Sequence, residues 1–351
     1  MKEVAIKDIC KKDSSALKQK ELLPEGKYPV FGASGIAGYL DRYHQKKEYI
    51  GIVKDGSGIG RVAFYPAESS LIGTMQYVLP KENYDIRYIG YCLQSLDLSK
   101  YKQGAAIPHI YFRDYGEQLV KVTDNWEEQH SIVSRLDSAF SHIDALKANA
   151  EKQLNEARKL FQAELTECMK PKEGWEEKTL PKLSENLDSI RKPVTKKDRT
   201  EGIYPYYGAS GIVDYVDNYL FDEDLLRISE DGANLLMRTY PIAFPISGKA
   251  WVNNHAHVLR FKCMSTQRYV EYYFAGLKLD EYITGAAQPK LTQKALNSII
   301  ISIPSSLAEQ SSIVSHLNSL SSTIRKLEEL QQKTIAECDA LKQAMLREVF
   351  E

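Results

Sequence analysis

Tyr28-Pro29-Val30-Phe31-Gly32-Ala33-Ser34-Gly35-Ile36 returns later in the chain as Tyr204-Pro205-Tyr206-Tyr207-Gly208-Ala209-Ser210-Gly211-Ile212. Two more blocks follow in the same order. Gly104-Ala105-Ala106-Ile107-Pro108 returns as Gly285-Ala286-Ala287-Gln288-Pro289. Glu128-Gln129-His130-Ser131-Ile132-Val133-Ser134 returns as Glu309-Gln310-Ser311-Ser312-Ile313-Val314-Ser315. The first block shifts by 176 positions and the other two by 181. A solenoid unit would repeat every 20–50 residues or so, and this period is far longer. The chain is therefore a duplicated domain, suited to a target with two parts.

Each half divides again. The globular stretches are rich in Gly, Pro and Tyr, with short apolar runs such as Tyr49-Ile50-Gly51-Ile52-Val53 and Ile299-Ile300-Ile301-Ser302-Ile303. These read as strands between turns, and Arg87–Leu96 and Arg268–Leu277 read as short helices. Asp124 or Asn125 can cap a helix from about Trp126 to Met169, free of Gly and Pro. A second long helix is expected from about Leu307 to Phe350. A helix of roughly 43 residues spans about 65 Å, too long for an ordinary globular helix. Its apolar residues advance in steps of four and three: Ile132, Leu136, Ala139, Ile143, Leu146 and Ala150 in the first, Ile313, Leu317, Leu320, Ile324 and Leu327 in the second. That is a heptad seam, which is buried against another helix. The expected fold is α+β: a first globular module over 1–125, a first long helix over 126–170, a second globular module over 171–306 and a second long helix over 307–351. The two helices are expected to pack as an antiparallel coiled coil, giving the internal repeat a pseudo-twofold axis.

This order of blocks resembles the specificity subunit of type I restriction–modification systems. The likeness covers nearly the whole chain: module, G-A-A-x-P, apolar strand, E-Q-x-x-I-V, long helix, then all of it again. The ending Leu341-Lys342-Gln343-Ala344-Met345-Leu346-Arg347 fits too. The resemblance implies two target-recognition domains, each reading half of a split sequence in double-stranded DNA. It implies long helices that act as a spacer and dock DNA methyltransferase subunits, with restriction and translocase subunits as further partners. The modules differ outside the shared blocks, as unlike half-sites would require.

Composition agrees with that reading and excludes others. Of 351 residues, 26% are charged and the net charge is −1, so any DNA contact must come from the placement of charge. No apolar run approaches a membrane span, and the start of the chain has no apolar signal region. Cys10, Cys92, Cys168, Cys263 and Cys338 are scattered, so reduced thiols and a cytoplasmic location are expected, with no membrane partner. Asp55-Gly56-Ser57-Gly58-Ile59-Gly60 mimics a nucleotide loop. Arg61-Val62-Ala63-Phe64-Tyr65 behind it reads as a strand, whereas a phosphate site needs a helix there. There is no N-P-P-Y tetrapeptide, no ATP-binding G-x-x-x-x-G-K-[ST] loop and no zinc-spaced Cys/His cluster. No cofactor and no catalytic residue is expected on this chain.

Arg and Lys can pair with guanine edges, and Asn and Gln with adenine. In the first module Lys54, Ser57 and Arg61 flank the glycine turn, Gln76 lies nearby, and Gln103 and His109 flank G-A-A. In the second, Asn234 and Arg238 flank the matching turn. Asn253, Asn254 and His255 follow, and Gln288 and Lys290 flank G-A-A. These thirteen are the expected DNA contacts. Two rivals differ in class: a self-sufficient DNA methyltransferase, and a tandem carbohydrate-binding protein using exposed tyrosines from among the 22 present. The second gives no reason for matched long helices.

Overall fold

The computed structural model describes residues 1–105, 107–285 and 287–351. Ala106 and Ala286, both inside the repeated G-A-A blocks, lie outside the described residues. The chain forms two compact units, one of residues 1–152 with 331–351 and the other of residues 153–330. Both mix helix and sheet.

In the first unit a four-stranded antiparallel sheet runs in the order Cys10–Ser14, Met75–Pro80, Tyr49–Val53, Val62–Tyr65. A three-stranded sheet joins Gly35–Leu40 to Tyr28–Gly32, which runs parallel to Ser70–Leu71. The strand Tyr49–Val53 is buried along its whole length because both of its faces are covered. Side chains alternate across a strand. Ile50 and Ile52 therefore join the core beneath the helix Ile86–Ser95, while Tyr49 and Val53 join Leu71, Met75 and Tyr77 on the other side. The helix sits close: a side chain on Gly90 would meet the Phe64 ring at 2.0 Å.

The second unit repeats the pattern with other side chains. One antiparallel sheet has the order Ser184–Asn186, Ala256–Phe261, Leu225–Ser229, Ala243–Ile246. Leu226 and Ile228 face the helix Met264–Gly276. A second four-stranded sheet contains Gly211–Val216, Glu201–Gly208, Lys249–Val252 and Phe221–Asp222.

The long helices cover Trp126–Cys168 and Leu307–Phe350. Asn125 starts the first, its Oδ1 accepting from the Glu128 N–H at 3.0 Å. The glutamine of the repeated E-Q pair has a structural task. Gln129 is fully buried and donates from Nε2 to the carbonyls of Asn83 and Thr123, at 2.9 and 3.0 Å. Gln310, also buried, donates to the Pro304 carbonyl at 2.7 Å and accepts from the Thr266 hydroxyl at 2.8 Å. Each amide fixes the start of a long helix to its own module.

Within the first unit Lys147 pairs with Asp339 at 2.7 Å and Lys342 with Asp144 at 2.5 Å. Within the second, Arg158 pairs with Glu328 at 2.7 Å and His316 with Glu164 at 2.8 Å. The expected seam residues Ile132, Leu136, Ile143, Leu317 and Ile324 are buried, and Ile313 and Leu327 half-buried. Leu146 is a correction: it is 53% exposed. Its neighbour Lys147 turns inward instead. Four methylenes can lie along an apolar stripe while the ammonium reaches a carboxylate at the edge. No described helix is long and apolar enough to cross a membrane.

These placements predict opposite outcomes for two leucines. Leu317→Ala should lower stability by about 2–5 kcal/mol, as expected for a fully buried leucine. Leu146→Ala should change it by less than about 0.5 kcal/mol. Chemical denaturation of the two variants checks this.

Candidate nucleic-acid interface

In each module three segments meet at the backbone of one residue. The Lys54 N–H donates to the Thr74 carbonyl at 3.1 Å, and the Lys54 carbonyl accepts from Ile110 N–H at 2.9 Å. Two residues on, the Gly56 N–H donates to the Pro108 carbonyl at 2.9 Å. In the second module Glu230 donates to His255 at 2.9 Å, Leu291 donates to Glu230 at 2.8 Å, and Gly232 donates to Pro289 at 3.0 Å. The glycine turn, the strand entry and the G-A-A-x-P segment are thus knitted by the same three bonds in both copies. Gly56 and Gly232 have φ of +93° and +106°. That left-handed backbone favours glycine and accounts for the repeated Asp-Gly.

Two carboxylates absent from the expected set sit at this junction. Asp55 Oδ1 lies 2.6 Å from His109 Nδ1, and Asp231 Oδ2 lies 2.7 Å from His255 Nδ1. The aspartates occupy matching positions, but their histidines come from different segments: His109 from G-A-A-x-P, His255 from the strand entry. The one sequence signal for them was the Asp-Gly shared by both turns. Lys54 Nζ is 3.7 Å from Asp55, and Lys290 Nζ is 3.1 Å from Glu230.

Glu230 also accepts from Arg191 at 2.6 Å. Burial opposes its charge, but Arg191, His257 and Lys290 outweigh that and hold the carboxyl below its ordinary range. Beneath it His257 is buried, with Nδ1 2.6 Å from Asp188 and Nε2 2.8 Å from the Leu291 carbonyl. Burial likewise opposes the charge on Asp188, and the His257 hydrogen bond leads the contacts that keep its carboxyl below the usual range.

The repeated Ala-Ser-Gly turn is held from beside this junction. Arg61 Nη2 donates to the Ala33 carbonyl at 2.6 Å. In the second module the matching Ala209 carbonyl accepts from Arg227 Nη1 at 2.9 Å and from Ser229 Oγ at 2.6 Å. Arg227 is fully buried, with its guanidinium 4.5 Å from the Phe244 ring centre, and burial pushes its pKa down to about 10. Nothing in the sequence pointed to Arg227, since Gly51 stands at the matching place.

Nine of the thirteen expected contact residues remain near the junction with surface exposure. Ser57, Arg61, Gln103, Asn254, His255, Gln288 and Lys290 are exposed, and Lys54 and His109 are half-buried. Gln103 exchanges backbone hydrogen bonds with His109 at 2.8 Å, and its side chain donates to Asp114 at 2.7 Å. The other four are corrections. Gln76 is buried and donates to the Tyr115 hydroxyl at 2.6 Å. Asn253 is buried, and its Oδ1 accepts from the His255 N–H at 2.8 Å. Asn234 is buried too: it accepts from Thr239 N–H at 2.9 Å and donates to the Tyr240 carbonyl at 2.8 Å. Arg238, in left-handed backbone at φ +52°, donates to the carbonyls of Phe274 and Leu277, and burial pushes its pKa down. The hydrogen bonds of all four named here stay within their own module.

The profile of the type I restriction modification DNA specificity domain matches twice, over residues 1–156 and 172–336. The chain belongs to this family. A putative type I restriction enzyme specificity subunit of Haemophilus influenzae is 36% identical over 143 residues, covering 41% of this chain and 36% of that protein. A putative type I specificity subunit of Mycoplasma genitalium is 27% identical over 286 residues, covering 74% of this chain and 70% of that protein. The matched region is thus about a third of the first relative's length. Among solved structures, one from a study of complex assembly and conformational transition of the type I system covers 98% of this chain and 96% of its own, with TM-score 0.74 and 15% identity. The HsdS subunit of Thermoanaerobacter tengcongensis covers 98% and 95%, with TM-score 0.52 and 16% identity. At these identities the structural likeness establishes the fold.

The placements separate framework from surface. Gln76→Ala should leave the buried Tyr115 hydroxyl without its partner and cost about 1–3 kcal/mol. Ser57→Ala and Gln103→Ala should each stay within about 0.5 kcal/mol of the parent. Unfolding midpoints in urea test both statements.

Proposed function

We propose that this chain is the non-catalytic DNA-reading subunit of a type I restriction–modification assembly. The observation that carries the reading is the junction of three hydrogen bonds. It recurs in both modules with the same backbone and different exposed polar side chains. A fixed frame carrying variable donors and acceptors suits two readers of unlike half-sites in double-stranded DNA. The first module, residues 1–125, presents Lys54, Ser57, Arg61, Gln103 and His109. The second, residues 171–306, presents Asn254, His255, Gln288 and Lys290. Asp55 and Asp231 orient His109 and His255, and a carboxylate at a base edge can accept from cytosine N4.

The long helices, over 126–170 and 307–351, form an antiparallel coiled coil in this reading and set the gap between half-sites. In the first unit, Asp144 and Lys147 pair with Lys342 and Asp339, so partners descend as residue numbers rise. In the second unit Arg158 and Glu164 meet Glu328 and His316, with the same opposite sense. The molecule then has a pseudo-twofold axis. Methyltransferase subunits bring the methylation chemistry, and restriction and translocase subunits bring cleavage.

Exchanging residues 1–125 for the first module of another family member should change one half of the methylated sequence in host DNA and leave the other half intact. Change in both halves would contradict independent readers. On purified complexes, replacing a phosphate-contacting lysine or arginine should weaken binding to all sequences and lower the salt slope by about one. Replacing a base-reading side chain should instead cost about 1–3 kcal/mol at one position.

A further inference from the structure

We propose that the second unit carries a binding site for a transition-metal dication of the zinc class, formed by Glu164, Cys168 and His316. The three residues are outside the DNA-reading surface, and the inference is independent of the function proposed above.

Glu164 and Cys168 stand one helical turn apart on the first long helix, so they share a face. His316 comes from the second long helix, 152 residues beyond Glu164. That distance along the chain hides the group from any reading of ligand spacing. In space, one donor atom from each residue lies within 4.8 Å of the others. His316 Nε2 is 2.8 Å from Glu164 Oε1, and Cys168 Sγ is 3.7 Å from the same oxygen. Tetrahedral zinc, with bonds of about 2.0–2.3 Å, holds its ligand atoms roughly 3.3–3.8 Å apart. Small side-chain rotations bring the trio to that spacing.

The present hydrogen bonding shows what an ion would replace. One carboxylate oxygen accepts from both an imidazole N–H and a thiol S–H. A dication at the centre takes the place of those two protons. The thiol proton passes to solvent and leaves a thiolate on the metal. Nε2 offers its lone pair, with the ring proton on Nδ1. No electron is transferred. Carboxylate, thiolate, neutral imidazole and dication then sum to zero charge, so closing the site strands none.

A mixed S, N and O set suits zinc or cobalt and is poor for calcium or magnesium, which prefer oxygen. Glu164 and Cys168 are half-buried and His316 is exposed, which gives an ion a path from solvent. Three protein ligands leave a fourth position for water. The bound ion would clip the end of the first long helix to the beginning of the second within this unit.

The test is titration of the full chain with Co(II), followed by displacement with Zn(II). Parent protein and Cys263→Ser, which alters the other half-buried cysteine, should both develop a near-ultraviolet thiolate-to-cobalt band. Visible bands of tetrahedral strength should accompany it and saturate at about one ion per chain, and Zn(II) should bleach them. Cys168→Ser should lose the thiolate band. His316→Gln should bind at least about tenfold more weakly. Both variants should melt like the parent in chelator, which separates metal binding from folding. If the parent and Cys168→Ser give the same spectrum, or cobalt shows only weak octahedral bands, the trio is an ion pair beside a thiol and the proposal fails.

Discussion

The backbone of residue 54, and of residue 230 in the second copy, is the fixed point on which each module's candidate surface depends. Its N–H and its carbonyl are both bound to other segments, and the glycine two residues on is bound to the last proline of the G-A-A-x-P block. A buried peptide group left without partners costs more than its hydrogen bond contributes, so these three segments are held together as a set. Side chains on the turns can then change without moving the frame. This is why the two modules keep the same backbone while Lys54 faces Asp55 in one and Glu230 gathers Arg191 and Lys290 in the other.

A second constraint joins each module to its long helix. Gln129 and Gln310 place a buried amide where the helix begins, and each bonds to backbone or side chains of the preceding module. A glutamine in an apolar setting is tolerated only when its donors and acceptor are satisfied. The repeated E-Q pair therefore sets the angle at which the helix leaves. A helix fixed at its root and continuous for 43 or 44 residues is a stiff element. That property suits the spacer role proposed for it.

The duplication, the long helices and the strands Tyr49–Val53, Val62–Tyr65 and Ile300–Pro304 were legible because they rest on local pattern: repeated blocks, heptad steps, and Gly and Pro punctuation. What failed was the inference from residue type to exposure. Gln76, Asn234 and Asn253 are polar and lie near the turns, yet each closes a hydrogen bond inside the module. No local pattern separates a buried amide from a free one. Leu146 failed for a different reason: the 4–3 step lands on it, yet it is exposed while the neighbouring Lys147 pairs with Asp339 of the second long helix. Asp55 and Asp231 each precede the glycine of their turn, and residue type alone gave neither a role. Their histidine partners come from different segments, which only the folded chain brings together.

In the proposed function the junction segments of both modules lie against DNA. Photocrosslinking tests it most directly, with a photoreactive residue placed singly at Ser57 and at Gln288 in the assembled complex on its own recognition duplex. Each position should crosslink to one half of the site, Ser57 to one and Gln288 to the other. Both side chains are exposed and belong to segments tied to the same junction. Absence of crosslinks from both positions, with efficient crosslinking from the long helices instead, would contradict it.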